Sequence, residues 1–267
     1  MNIESAHNDK KKETLSRFGI GSKGVVYILV GGLSAMAAFG VGGKTTGSKG
    51  ALQAFSDNTL GQILLVLITV GLLAYVFWRM YQTFADPEDK GSDFKGVFRR
   101  VGYFSSGLFY GFLAYSAIKM IFNAGGSSSG GKESLIATLL NQDFGKYLVF
   151  AVALIFAGKA IWQAYRAYSG KFKDKIKETK LDEKVRGLLL KAGRFGYTSR
   201  GVVIAIIAFF TFKAGLTHSS EKAGGTKEAF QFLQNEGGTI WLGIIALGLI
   251  GYGLFMILKA RYREMSL

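Results

Sequence analysis

Arg17-Phe18-Gly19-Ile20-Gly21-Ser22-Lys23-Gly24-Val25-Val26-Tyr27 opens a long apolar stretch, and its skeleton returns twice further along the chain. Arg100-Val101-Gly102 runs through Ser105 to Gly107 and Tyr110, and Arg194-Phe195-Gly196 runs through Ser199 to Gly201 and Ile204. A basic residue, then spaced glycines, then a hydrophobic helix, repeated three times, marks the duplication of one membrane-embedded unit.

Working outward from these heads, the charges avoid long segments and crowd between them. Lys and Arg total 33 against 18 acids, with 49% hydrophobic residues and one proline. Six segments, 20–41, 60–82, 102–123, 145–168, 196–217 and 238–260, contain no Asp or Glu. Each is about 22 residues, or about 33 Å of helix, enough to cross a hydrocarbon core of about 30 Å. No alternating pattern is sustained, so a β-barrel is not expected. The fold expected is an all-α integral membrane protein. Its six transmembrane helices form three tandem two-helix hairpins around a pseudo-threefold axis.

The basic residues also predict orientation. About twenty Lys and Arg lie in the N-terminus, the two inter-repeat linkers and the C-terminal end, against about seven in the opposite loops. The positive-inside rule then puts both termini in the cytoplasm of a multi-pass protein of the bacterial inner membrane. The first apolar run is too long for a signal peptide and is read as a retained helix. The expected divisions are a polar cytoplasmic N-terminus 1–16, repeat 1 at 17–84, a cytoplasmic linker 85–99, and repeat 2 at 100–168. A charged amphipathic linker follows at 169–193, then repeat 3 at 194–262 and a tail at 263–267. In the second linker Phe172, Ile176, Val185 and Leu188 to Leu190 interrupt the lysines and acids, which predicts a surface-lying helix.

Each unit repeats more than its head. A Gly-rich turn follows the first helix, then a short apolar stretch at 51–55, 135–139 and 229–233. These stretches are expected as short interfacial helices on the outer side, with their apolar faces in the membrane interface. The second helices begin near Gly61, Gly145 and Gly238. They carry Gly71, Gly158 and Gly248, each followed four residues later by Tyr75, Trp162 and Tyr252, and eight later by Arg79, Arg166 and, breaking the pattern, Met256.

The heads, the triplicated two-helix units and the length together resemble the bacterial membrane family catalogued as domain-of-unknown-function family 1206, from about Arg17 to Tyr262. The resemblance implies a six-helix membrane protein and no established activity, so it supplies no catalytic residue. This chain departs from its own pattern at Ile20 (Tyr103 and Tyr197 in the other units), at Ser106 (Lys23 and Arg200) and at Ile204 in place of tyrosine.

Enzymatic chemistry finds little to work with. There is no cysteine, and the histidines His7 and His218 lie far apart in polar segments, so neither a thiolate nor a paired imidazole metal site is expected. The spans hold no carboxylate for a proton relay. Ser22, Ser105 and Ser199 recur without a base beside them and are read as packing residues. No cofactor, metal or nucleic acid is expected. Small residues let helix backbones approach in lipid, so Gly19, Gly24, Gly102, Gly107, Gly111, Gly196 and Gly201 are assigned to packing, with each first helix expected on its own second helix.

The cations inside or beside the spans are the candidate binding residues: Arg17, Lys23, Arg79, Arg100, Arg166, Arg194 and Arg200, with Lys159 also within a span. With no acid in the spans to pair them, they predict binding of anionic lipid or of an anionic solute, with Arg17, Arg100 and Arg194 as a ring at the cytoplasmic mouth. The function expected is that of a non-enzymatic accessory or scaffold subunit, held by anionic lipids and joined to a membrane-protein partner. The alternative is a small transporter or channel for an anion, with Tyr27, Tyr110, Tyr75, Trp162 and Tyr252 lining its centre.

Overall fold

A computed structural model describes residues 3–41, 47–53, 59–86, 91–122, 139–140, 144–173, 183–219 and 222–262. These residues are helical almost throughout and contain no strand. Seven α-helices are formed: α1 Ile3–Ala38, α2 Ser48–Gln53, α3 Thr59–Phe84, α4 Phe94–Ile121, α5 Gly145–Ser169, α6 Glu183–Thr217 and α7 Thr226–Tyr262. Local chemistry sets several ends. The Asp93 carboxylate caps α4 by accepting from the Gly96 N–H at 2.9 Å. Gly170, at φ 74°, ends α5 in the left-handed region where an L side chain is disfavoured.

Five helices are long and apolar enough to cross a membrane: the stretches Ser16–Ala38, Gln62–Phe84, Gly145–Ser169, Arg186–Thr217 and Thr226–Tyr262. The sixth expected span, in α4, is long enough at 28 residues, but its tyrosines, serines and Lys119 dilute its hydropathy. Ile63, Val66, Leu67, Val70, Leu73 and Phe77 are exposed at helical spacing along α3, and Leu154, Ile155 and Ile161 are exposed on α5. In water such stripes would be aggregation sites; against lipid tails they cost nothing.

The packing follows an order different from the chain order. α3 packs on α4 and α1, α1 on α7, α7 on α6, and α6 on α5, while α2 rests on α1 and α4. The six long helices therefore form an arc in the order α4, α3, α1, α7, α6, α5. Repeats 1 and 3 form the expected hairpins, α1 with α3 and α6 with α7. Repeat 2 does not: among the described residues α4 and α5 share no packed interface and stand at the two ends of the arc.

The glycines show why. A Cβ on Gly19 would lie 2.6 Å from the Tyr75 Cα, and one on Gly196 would lie 2.5 Å from the Tyr252 Cα. A Cβ on Gly71 would collide with Ser22, and one on Gly248 with Ser199. These close approaches hold the two hairpins together. The later glycine of each head faces elsewhere, which corrects the expectation that it packs within its own unit. Gly24 meets the Gly253 carbonyl of α7, Gly107 meets Met80 and Arg79 of α3, Gly111 meets Val76 of α3, and Gly201 meets Ala160 and Gln163 of α5. Each of these partners belongs to the second helix of a neighbouring repeat.

Three other expectations change. Ala51 and Leu52 in α2 are fully buried on α1 and α4, so this apolar face meets protein rather than the membrane interface. Ala229 and Phe230 are likewise buried at the start of α7, whose helix runs on through a kink at Gly238 (φ 77°, ψ 173°). The corresponding stretch of repeat 2 lies outside the described residues except for Leu139, which packs with Leu140 against the group around Val149. In the second linker, Phe172 is buried against Tyr197 and Phe255, and α6 starts at Glu183 and carries Leu189 inward, so these residues extend the bundle instead of floating on the surface. Residues 174–182 of that linker lie outside the described residues.

Candidate functional site

The concave side of the arc gathers the residues that occupy the same place in each head. Lys23, Ser106 and Arg200 all stand six residues after the head arginine, and Tyr27 and Tyr110 stand ten after it. Being on inward faces of α1, α4 and α6, they converge with Tyr75 of α3 and Tyr252 of α7.

Lys23 is 6% exposed, inside an apolar span. Its ammonium lies 5.4, 5.2 and 5.8 Å from the ring centroids of Tyr75, Tyr110 and Tyr252, and 3.5 Å from the Tyr75 hydroxyl. Arg200 donates from Nε to the Tyr27 hydroxyl at 2.8 Å and from Nη1 to the Tyr252 hydroxyl at 3.0 Å. Arg79 donates from Nε to the Tyr75 hydroxyl at 2.8 Å and from Nη1 to Gln82 Oε1 at 2.8 Å. The Tyr75 hydroxyl also meets Ser106 Oγ at 3.3 Å, and the Tyr110 hydroxyl reaches that of Tyr27 at 3.5 Å. Edge-on stacking of Tyr27 with Tyr252 and of Tyr75 with Tyr110 fixes the rings, with centroids 4.8 and 4.9 Å apart.

The electrostatics of this centre are unusual. Lys23 and Arg200 are held among tyrosine rings and hydroxyls, and Arg79 shares the Tyr75 hydroxyl with Lys23. Ring faces attract each cation by about 1–2 kcal/mol at buried sites. Like charges in a low-dielectric interior repel by more than that. Basic side chains at membrane depth are costly and mark function by default. Guanidinium and ammonium groups together match the oxygens of phosphate.

Of the seven candidate cations, the fold brings together Lys23, Arg79 and Arg200. Arg79 lies 5.0 Å over the Tyr103 ring, and Arg166 lies 5.0 Å over the Tyr197 ring, the equivalent pair of the next seam. At the third seam the positions hold Met256 and Ile20, both buried, so the two departures seen in the sequence belong to one place. Arg194 is exposed, and Arg17 is half-buried near the start of the Ser16–Ala38 span. Arg100 caps the end of α3, donating from Nε to the Thr83 carbonyl at 2.7 Å and from Nη2 to that of Phe84 at 3.4 Å. Replacing Arg100 with alanine is expected to cost about 1 kcal/mol, read as a lower melting temperature in detergent, with no change in bound anion. Ser106, Gln82 and the buried amide of Gln163 were not singled out as site residues; the signal for Ser106 is its register with Lys23 and Arg200.

The fold and its centre define a multi-pass helical membrane protein built by triplication of a two-helix unit. The family described as Domain of Unknown Function (DUF1206) matches at residues 18–86, 101–170 and 195–263, once for each unit, and the chain belongs to that family. It is 31% identical over 251 residues to the uncharacterized protein YxxB of Bacillus subtilis (strain 168), covering 94% of this chain and 90% of that protein. No solved structure matches.

Proposed function

We propose that this protein binds a phosphate-bearing anion at the Lys23, Arg79 and Arg200 centre, within the cytoplasmic membrane and with both termini on the cytoplasmic side. The observation that carries the reading is the gathering of three cations on one group of tyrosine hydroxyls, in spans that hold no acid. An anion offsets the repulsion between Lys23 and Arg200 and accepts the hydrogens that the ring hydroxyls leave unused. The anion is either a lipid headgroup or a soluble phosphate, since both offer the same oxygens. An accessory role beside a partner protein has no observation of comparable weight behind it.

The test is native mass spectrometry of the protein released from nanodiscs of mixed phosphatidylglycerol and phosphatidylcholine. Retained phosphatidylglycerol that falls at least tenfold in Arg200→Gln supports a lipid ligand. Retention of inorganic phosphate from phosphatidylcholine-only discs, lost in the same variant, supports a soluble one. Equal retention of either by wild type and variant overturns the reading.

A further inference from the structure

The middle repeat carries counterparts of the residues that hold the outer repeats closed, with Trp162 in place of tyrosine, yet its helices stand apart. In repeats 1 and 3 the first helix presents Gly19 and Ser22, or Gly196 and Ser199, to Tyr75 and Gly71, or Tyr252 and Gly248, of its partner, and all eight are buried. In repeat 2 the same positions are Gly102 and Ser105 on α4, and Trp162 and Gly158 on α5. Gly102, Ser105 and Gly158 are exposed, Trp162 is 49% exposed, and among the described residues no atom beyond the local helix lies within 4 Å of a Cβ built on either glycine. Only 17% of the α5 span is buried, against 44–56% in the other four.

The molecule therefore shows twice what fits the α4 face: the face of a second helix bearing glycine and, four residues on, a large aromatic ring. The free copy of that face is on α5. The two ends of the arc are complementary halves of one seam, and the seam opposite them, α1 on α7, brings backbone against backbone, with a Cβ on Gly253 only 2.5 Å from the Gly24 carbonyl. The gap also lies at the depth of the cationic centre. Ser106, next to the exposed Ser105, touches the Tyr75 hydroxyl, and Trp162 holds the position that Tyr75 and Tyr252 hold elsewhere.

We infer that α4 and α5 form a lateral gate, open to the bilayer in this structure, through which a lipid's phosphate headgroup reaches the Lys23 and Arg200 centre from the side. This rests on the anion-binding reading and selects the lipid as its ligand. Closure buries Gly102 and Ser105 on Trp162 and Gly158 and completes a ring of six helices. A bound phosphate favours closure because it offsets the repulsion of the cations that the closing wall would otherwise shield from solvent and lipid headgroups.

The chain has no cysteine, so pairs can be introduced cleanly. Ser105→Cys with Gly158→Cys, and separately Gly102→Cys with Trp162→Cys, are placed in nanodiscs containing phosphatidylglycerol and oxidised. The expected result is a disulfide within one chain for at least one pair, with exchange of bound phosphatidylglycerol slowed at least tenfold and restored by reduction. No disulfide in either pair means a fixed gap and overturns the gate. Disulfides solely between chains make the faces a dimer contact and also overturn it. An intrachain disulfide with unchanged exchange shows closure without lipid passage and overturns the lateral route. Lipid occupancy of the reduced protein reports separately on the anion-binding reading, and circular dichroism of each pair confirms that it has folded.

Discussion

Gly253→Leu is expected to be among the most damaging single changes in the chain, costing about 3 kcal/mol or more and lowering the detergent melting temperature by roughly 10 °C. Gly253 and Gly24 face each other across α1 and α7 so closely that a Cβ on either meets the other's backbone oxygen, at 2.5 and 2.7 Å. A turn or two further along, Gly31 repeats the arrangement with the Ala246 carbonyl at 2.7 Å. Backbone cannot step aside as a flexible side chain can, so the helices must separate. In lipid there is no hydrophobic drive to bring them back, because packing itself is the attraction. Gly107→Leu meets the flexible end of Met80 instead and is expected to cost less, about 1 kcal/mol. The check is a thermal melt of both variants beside wild type in one detergent; equal losses would refute the ranking.

Lys23→Met should act in the opposite direction on stability. The substitution keeps the length of the side chain and removes an amine that is 6% exposed inside an apolar span. Hydrogen bonding offers little in return, since the Tyr75 hydroxyl is 3.5 Å away. Replacing a buried charge by an apolar side chain of similar volume is often neutral or stabilising by about 1–4 kcal/mol. The ligand-free variant is therefore expected to melt above wild type, while the rise in melting temperature that phosphatidylglycerol gives wild type disappears. Stability gained as binding is lost marks a residue kept for function. A variant that melts lower than wild type and still responds to the lipid would refute this.

The heads were legible because glycine, serine and arginine recur at fixed spacing, and the all-helical fold followed from acid-free stretches of bilayer length. The direction each glycine faces was also within reach of the sequence. Gly19 and Ser22 are three residues apart and share a helix face, whereas Gly24, five beyond Gly19, points about 140° away and must meet a different neighbour. Assigning all of them to one partner missed this. The tyrosines that meet at the centre were recognised as an aromatic set together with Trp162, which stands 49% exposed on α5, because equivalence in sequence does not show that one copy of a seam is open. The burial of Leu52 and Phe230 could not be read from their short stretches, since an apolar face is the same whether it meets lipid or protein.

The substitution of Ile20 and Met256 for the tyrosine–arginine pair of the other two seams has a consequence for why three copies share one chain. Three separate identical hairpins assembled as a trimer would have to loosen at every joint or at none, because a mutation in one joint is a mutation in all. Fusion frees each joint to evolve alone. Here one joint has become greasy and glycine-tight, the natural spine of the molecule, while the hairpin opposite it has kept its fittings but stands unlatched. Carrying the three units on a single polypeptide is thus what lets the protein have a back and a front.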